Sequence, residues 1–287
     1  MSGYADSVQP HPVESLNDPR LADYRNVRDP ELLKRSELFM CEGRLGVRRL
    51  LASGRFRPRS VFVTRTALDA LSDAWPKLPR ETPVYVGSQA LLNEVVGYNL
   101  HRGCLAAVER GAALDPEAVL AACGAGRPLL LLEGVTDPDN VGSIFRSAEA
   151  FRVGGVWLTP GCADPLYRKA TRVSMGGTLA LPFAKVAAAP PACARLREAG
   201  RAVVALTPDL RAEPIAQLLR RLSGGSIALA LGGEDAGLSP AALAAADVSC
   251  RIPMAPGVDS INVGIAAGIA LHRFAELTEL AGGEPPA

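Results

Sequence analysis

The chain has no paired cysteines: six stand singly at 41, 104, 123, 162, 193 and 250, with no CxxC. That pattern argues against a zinc site and against a disulfide framework. Its three histidines, at 11, 101 and 272, are too dispersed for a ligand cluster, so no metal is expected. No window holds eighteen uninterrupted apolar residues, which argues against a transmembrane helix. The start, MSGYADSVQPHPVESLNDPR, lacks the basic-then-apolar order of a signal peptide, and a cytoplasmic address is the expectation. Enzyme signatures are missing too. There is no GK[ST], no GxGxxG after an early strand, and no Ser or Cys in a nucleophile elbow. P-loop chemistry, acyl transfer and metal hydrolysis are therefore poorly supported.

With 48% apolar and 21% charged residues, 287 residues suffice for two ordinary globular domains. Residues 1–30 read as a flexible leader. From 31 to 110, the strand-like runs LFMCEG, SVFVT, PVYVG and GCLAAVE alternate with the helical RLGVRRLLAS, ALDALSDAW and QALLNEVV. This is a small α/β domain. Residues 111–127 form an alanine- and glycine-rich linker with room for one short helix. From 128 to 287 the alternation recurs with near-continuous apolar strands at PLLLLEG, GGVWLT, AVVALT, SIALALGG and VSCRIPM, closing on a helix at 260–280. Such strands imply a parallel sheet covered on both faces, with ligands at the strands' carboxyl ends.

The net charge of +1 does not announce nucleic-acid binding, but its distribution is uneven. Arg44, Arg48, Arg49, Arg55, Arg57 and Arg59 fall within sixteen residues free of acids, and Arg168, Lys169 and Arg172 form a second patch. A solvated helix face would give the same pattern.

Three stretches stand at or near strand ends. In DPDNVGSIFRSAEAF (137–151), Asp137-Pro138 is a turn signal and Asn140 a candidate N-cap. Val141, Ile144, Phe145, Ala148 and Phe151 share one apolar face, with Gly142 and Arg146 opposite. LGGEDAGLSP (231–240) is a glycine-rich turn holding Glu234, with Ser239-Pro240 as cap and first helical residue. IPMAPGVDSINVGIAAGIAL (252–271) enters a helix whose face is small at Gly264, Ala266, Ala267 and Gly268. Each also has a purely structural reading: caps, a turn, tight helix packing. The expected fold gathers all three at one sheet edge. A site of backbone amides, one carboxylate, one arginine, asparagines and serines suits an adenosine-like cofactor beside an anionic polymer. The residues give a pocket, not a reaction.

Together the three stretches resemble the SpoU (TrmH-like) family of RNA ribose 2′-O-methyltransferases, of the SPOUT class. The first motif, N-x-G-x-x-x-R, reads Asn140-Val-Gly142-Ser-Ile-Phe-Arg146. The second, G-x-E-x-x-G, is met by Gly232-Gly233-Glu234-Asp235-Ala236-Gly237, with Asp235 where many members have glycine. The third is Ile252-Pro253-Met254 followed by Ser260-Ile261-Asn262, with isoleucine for the usual leucine. The resemblance spans about residues 128–275, and the segment ending HRGCLAAVE looks like the family's small RNA-binding domain.

The resemblance implies an α/β fold whose C-terminal parallel sheet carries a deep trefoil knot, a rare topology that composition would not suggest. It implies a homodimer in which the partner's first motif helps complete each active site. S-adenosylmethionine (AdoMet) would lie against Gly232, Ile252 and Ile261, with Gly233, Met254, Leu206 and Thr207 nearby. Arg146, Asn140, Glu234, Ser260 and Asn262 would be the catalytic set. A guanidinium does not give up its proton near neutral pH, so Arg146 is expected to hold a phosphate and stabilise the developing alkoxide. Asn140 would orient it, Glu234 would hold the second loop, Ser260 and Asn262 would order the third, and Gly142 would leave room for the nucleotide. The first domain lacks an aromatic stacking surface, so RNA would be read by charge and shape, with Arg48, Arg49, Arg55, Arg57, Arg168 and Arg172 as candidates. Ribosomal RNA is favoured as substrate. The alternatives are transfer RNA, an inactive RNA-binding relative, and a base methylase of the same class.

Overall fold

The computed structural model describes residues 8–25, 37–100, 102–124, 126–222 and 226–281, with side chains as far as Glu276. The strands are β1 (Pro10–Pro12), β2 (Leu38–Glu42), β3 (Arg57–Val63), β4 (Val84–Val86), β5 (Cys104–Glu109), β6 (Leu129–Glu133), β7 (Gly155–Leu158), β8 (Phe183–Lys185), β9 (Ala202–Leu206), β10 (Glu213–Pro214), β11 (Ile227–Gly232) and β12 (Val248–Arg251). The helices are α1 (Gly43–Ser53), α2 (Arg65–Ala70), α3 (Gln89–Val96), α4 (Pro116–Cys123), α5 (Pro138–Ala150), α6 (Arg168–Val173), α7 (Gly177–Ala180), α8 (Ala189–Glu198), α9 (Ile215–Arg221), α10 (Pro240–Ala245) and α11 (Val263–Ala281). By its contacts the chain divides into two compact units, Met1–Ala112 with Leu166–Ala180, and Ala113–Pro165 with Leu181–Ala287.

The first unit is a five-stranded sheet in the order β1-β4-β3-β5-β2, antiparallel at β3–β5 and β5–β2 and otherwise parallel. Two sequence expectations are corrected here. Residues 8–25 are not a loose leader: β1 adds an edge strand beside β4, and Leu21 and Tyr24 are fully buried. Prolines at both ends of β1 cost nothing at an edge, where no further strand needs their missing N–H. The buried Tyr24 hydroxyl meets Ser60 Oγ at 2.7 Å, and burial pushes its phenol well up in pKa. The rest of the expected leader, 1–7 and 26–30, lies outside the described residues. Second, Leu166–Ala180 belongs with this unit although the sequence places it in the second domain. Its helix α6 packs on β2 and α1, and α7 packs on α1.

The second unit is a seven-stranded, wholly parallel sheet, β10-β12-β9-β11-β6-β7-β8. Leu129, Leu130, Leu131 and Leu132 of central β6 are all fully buried, as a strand covered on both faces requires. From β6 the chain runs outward to β7 and β8, then returns to β9 and β11 on the other side. This order reversal between β6 and β11 is where α/β sheets open a crevice at the strands' carboxyl ends. The linker contributes α4, capped by Asp115, whose carboxylate accepts from Glu117 N at 2.9 Å. Val119, Leu120 and Cys123 of α4 join this unit's core.

Candidate active site at the carboxyl edge of the parallel sheet

The loop after β6 ends on two residues that set the start of α5. Asp137, not Asn140, caps α5: its carboxylate accepts from Asp139 N at 2.9 Å, and Pro138 takes the first helical position, where its missing N–H costs nothing. Asn140 is thereby displaced into the first turn, 5% exposed, with its amide free for tertiary use. Val141, Ile144, Phe145 and Ala148 are buried as the periodicity predicts. Gly142 is buried as well, so the room expected beneath Arg146 is not open surface. Arg146 is exposed and makes no ion pair or side-chain hydrogen bond among the described residues.

The loop after β11 is a tight return in which Gly233 and Gly237 pair, Gly237 N donating to Gly233 O at 2.9 Å. Its glycines are needed for close backbone approach. A Cβ on Gly232 would fall on backbone atoms of Gly237 and Leu238, and one on Gly233 would fall on Gly134 O, each inside the 3.0 Å that real Cβ atoms keep. Ser239 caps α10, its hydroxyl accepting from Ala242 N at 3.1 Å.

Glu133, at the end of β6, has no place among the residues expected from the sequence, yet it ties the two loops together. Its carboxylate accepts from Ser239 N at 2.8 Å and from Ser239 Oγ at 3.0 Å, while its carbonyl accepts from Gly233 N at 2.8 Å. The available signal was a lone acid closing the apolar run LLLL. Glu133→Ala is expected to strand the Ser239 N–H and cost about 2 kcal/mol, the usual range for a hydrogen bond to a charged group. The check is a lowered unfolding midpoint together with weaker binding in the adjoining cavity.

The third loop ends on Asn262, which joins all three motifs. Its Oδ1 accepts from Gly264 N at 2.9 Å and Ile265 N at 3.2 Å, capping α11. The amide nitrogen must then face the other way, where it donates to Asn140 Oδ1 at 2.8 Å and Glu234 Oε1 at 3.0 Å. Only a side chain with acceptor and donor on one planar group can do both. Asn262→Asp keeps the cap but sets a carboxylate against Glu234. The expected result is about 1–2 kcal/mol of lost stability and, with the loops unlinked, about tenfold weaker cofactor binding by calorimetry; unchanged binding would remove Asn262 from this role. The small face of α11 packs on α5, with Gly264 against Ser143 and Gly268 against Ser147. Those small residues serve helix packing.

Together the loops after β9, β11 and β12 enclose a cavity of about 610 Å³. Leu206, Thr207, Gly232, Gly233, Ile252, Met254 and Ile261 all line it, as do Glu234, Ser260 and Asn262. Asn140 sits behind it through Asn262, and Arg146 is not among its lining residues. The volume falls within the range of small-molecule sites, and the mixture of apolar side chains with tightly turned glycine backbone suits a nucleoside-bearing ligand. Among the described residues no group of His, Cys, Asp and Glu is placed to hold a metal, and no helix is long and apolar enough to cross a membrane.

The basic candidates of the first unit are largely engaged. Arg48 pairs with Asp73 at 2.9 Å and also donates to Ala70 O. Arg57 pairs with Glu81 at 3.3 Å. Arg55 is half-buried, stacked 5.0 Å over Phe56, and its burial lowers the guanidinium's pKa. The stem of Arg49 packs against Gly176. Arg168 is part-buried on Tyr98, and Arg172 is exposed.

Comparison with known proteins places this geometry. Residues 127–272 match the SpoU rRNA Methylase family. An uncharacterized tRNA/rRNA methyltransferase of Mycobacterium tuberculosis is 40% identical over 274 residues, covering 94% of this chain and 93% of its own. The 23S rRNA (guanosine-2′-O-)-methyltransferase RlmB of Shewanella oneidensis is 30% identical over 195 residues, 67% of this chain and 77% of its own. In fold, the chain is similar to an AdoMet-bound rRNA methyltransferase from Sinorhizobium meliloti, with a TM-score of 0.78 over 93% of this chain and 98% of that one, at 24% identity. The chain belongs to the SpoU rRNA methylase family of RNA methyltransferases.

Proposed function

We propose that the protein uses AdoMet to methylate a ribose 2′-hydroxyl in structured RNA, ribosomal RNA being favoured over transfer RNA, and that it works as a knotted homodimer. The observation that carries the reading is the Asn262 junction, which holds all three motifs around one nucleoside-sized cavity. Leu206, Thr207, Gly232, Gly233, Ile252, Met254 and Ile261 would hold the cofactor, which supplies an activated methyl group when bound. Support for ribosomal RNA comes from the guanosine-2′-O-methyltransferase relative.

Arg146 holds the phosphate beside the target ribose and offsets negative charge growing on its 2′-oxygen. Asn140 and Glu234, fixed through Asn262, keep the first and second loops in register, and Ser260, which lines the cavity, orders the third. Arg146 is absent from its own chain's cavity lining, which is the arrangement expected if each active site borrows the first motif of a second protomer. Exposed Ile265 (58%) and Ile269 (37%), one turn apart on α11, give that second copy an apolar surface to cover.

The test is AdoMet titration by calorimetry, sedimentation of the free protein, and mass-spectrometric mapping of the methylated atom in total RNA from cells with and without the gene. Absence of AdoMet binding would leave a non-catalytic relative. A methyl group on a base would overturn the ribose assignment, and a monomer would overturn the shared site.

A further inference from the structure

We infer that the first unit grips RNA through a surface at the start of α1 and along α6, centred on Arg44, Arg102, Arg168 and Arg172, and not through the dense arginine run that follows Arg44. This inference rests on the proposal that RNA is the substrate. The run looks basic in sequence, but Arg48, Arg57 and Arg59 face carboxylates of Asp73, Glu81, Asp23 and Glu109. A phosphate arriving there must displace an acid already in place, so little counterion release remains to be gained.

The alternative surface joins two arginines that form no ion pair among the described residues to Arg168, which faces Glu42. The stem of Arg102 lies over Gly43, its Cδ 3.3 Å from where a Cβ would stand. Gly43 has φ +85, a conformation that keeps this spot open to glycine alone. Arg44 follows directly and is close enough, with Arg48, to oppose the burial that pushes the Cys104 thiol up. Both Arg44 and Arg102 are exposed and form no ion pair among the described residues. On the other side of Gly43, Glu42 turns away from capping α1 and faces Arg168 at 3.9 Å and the Tyr98 hydroxyl at 3.4 Å. Glu42 is itself mostly covered, its side chain only 14% exposed.

Arg168 sits over Tyr98, its Cζ 4.2 Å from the ring centroid, with 29% of its side chain still exposed. A guanidinium already packed over a ring gives up less freedom when it meets a nucleotide. Arg172, one helical turn further along α6, is exposed on the same side as Arg168. Segments about 125 residues apart in sequence thus build one basic face, because Leu166–Ala180 packs in the first unit.

The experiment compares Arg44→Ala/Arg102→Ala/Arg172→Ala with Arg48→Ala/Arg57→Ala. Binding of unmodified total ribosomal RNA from cells lacking the gene is measured between about 50 and 200 mM salt, the range over which phosphate contacts express themselves. The triple variant is expected to flatten the plot of log Kobs against log salt by about 2, at roughly 0.7–0.9 per lost phosphate contact, while AdoMet titration remains that of the wild type. The double variant is expected to keep the wild-type slope. An unchanged slope in the triple variant, or an equal loss in the double, overturns the surface. A wild-type protein that neither binds nor methylates this RNA fails differently, since it removes the RNA reading itself.

Discussion

A Gly232→Ala variant is expected to lose AdoMet binding by more than a hundredfold and to unfold several degrees earlier than the wild type. The added methyl group would meet backbone of Gly237 and Leu238, which cannot rotate away as a side chain could. Relief requires opening the return after β11, and that return forms one wall of the cavity. Overpacking of this kind costs about 3 kcal/mol, the upper end of the usual range. Gly237→Ala is the matched control. Its φ of +64 strains any other residue, but nothing lies within 4 Å of the new methyl group. It should cost about 1–2 kcal/mol, the ordinary left-handed penalty, and spare most of the affinity. Thermal unfolding and calorimetry on both variants separate the two effects, and wild-type affinity in Gly232→Ala would remove this wall from the cofactor site.

Arg146→Ala should do the opposite: no change in unfolding midpoint or AdoMet affinity, with the methylation rate falling by about a hundredfold or more. The stability half follows from its exposure and its lack of ion pairs or side-chain hydrogen bonds among the described residues, since such surface substitutions stay within about 0.5 kcal/mol. The rate half follows from the proposed role, in which the Arg146 cation offsets negative charge developing on the ribose oxygen. Arg146→Lys should recover only part of the rate, because a point charge cannot reproduce a bidentate phosphate contact. Near-wild-type methyl transfer by a normally folded Arg146→Ala protein would sink the assignment.

Strand runs such as PLLLLEG and SIALALGG announced a parallel sheet because burial on both faces forces continuous apolar sequence. The expected cofactor residues fell on one cavity for a related reason: they sit in the turns that end those strands, and a parallel sheet brings such turns to one edge. Short edge strands were not legible. β1, β8 and β10 have three residues or fewer, too few for a period-2 pattern, and they exist only because a neighbouring strand offers its ladder.

Local rules also misplaced the cap of α5. Asn140 and Asp137 are both good caps, and only the fold shows Asp137 taking that role while Asn140 reaches Asn262, 122 residues away. Glu133 and the arginines carry the same lesson about charge. A carboxylate's or guanidinium's partner is set by tertiary packing, so Arg48 and Arg57 read as free cations in sequence and are paired in space.

The amino-acid sequence by itself therefore determined the parallel α/β class and the residues of the three motifs, because strand burial, turn chemistry and helix periodicity are local properties of the chain. Only the tertiary structure decided that one asparagine amide joins those motifs, that Glu133 links two loops, and that residues 166–180 pack with the first unit. Each of these depends on contacts between segments tens to more than a hundred residues apart, and no local pattern encodes which distant partner a polar group will find.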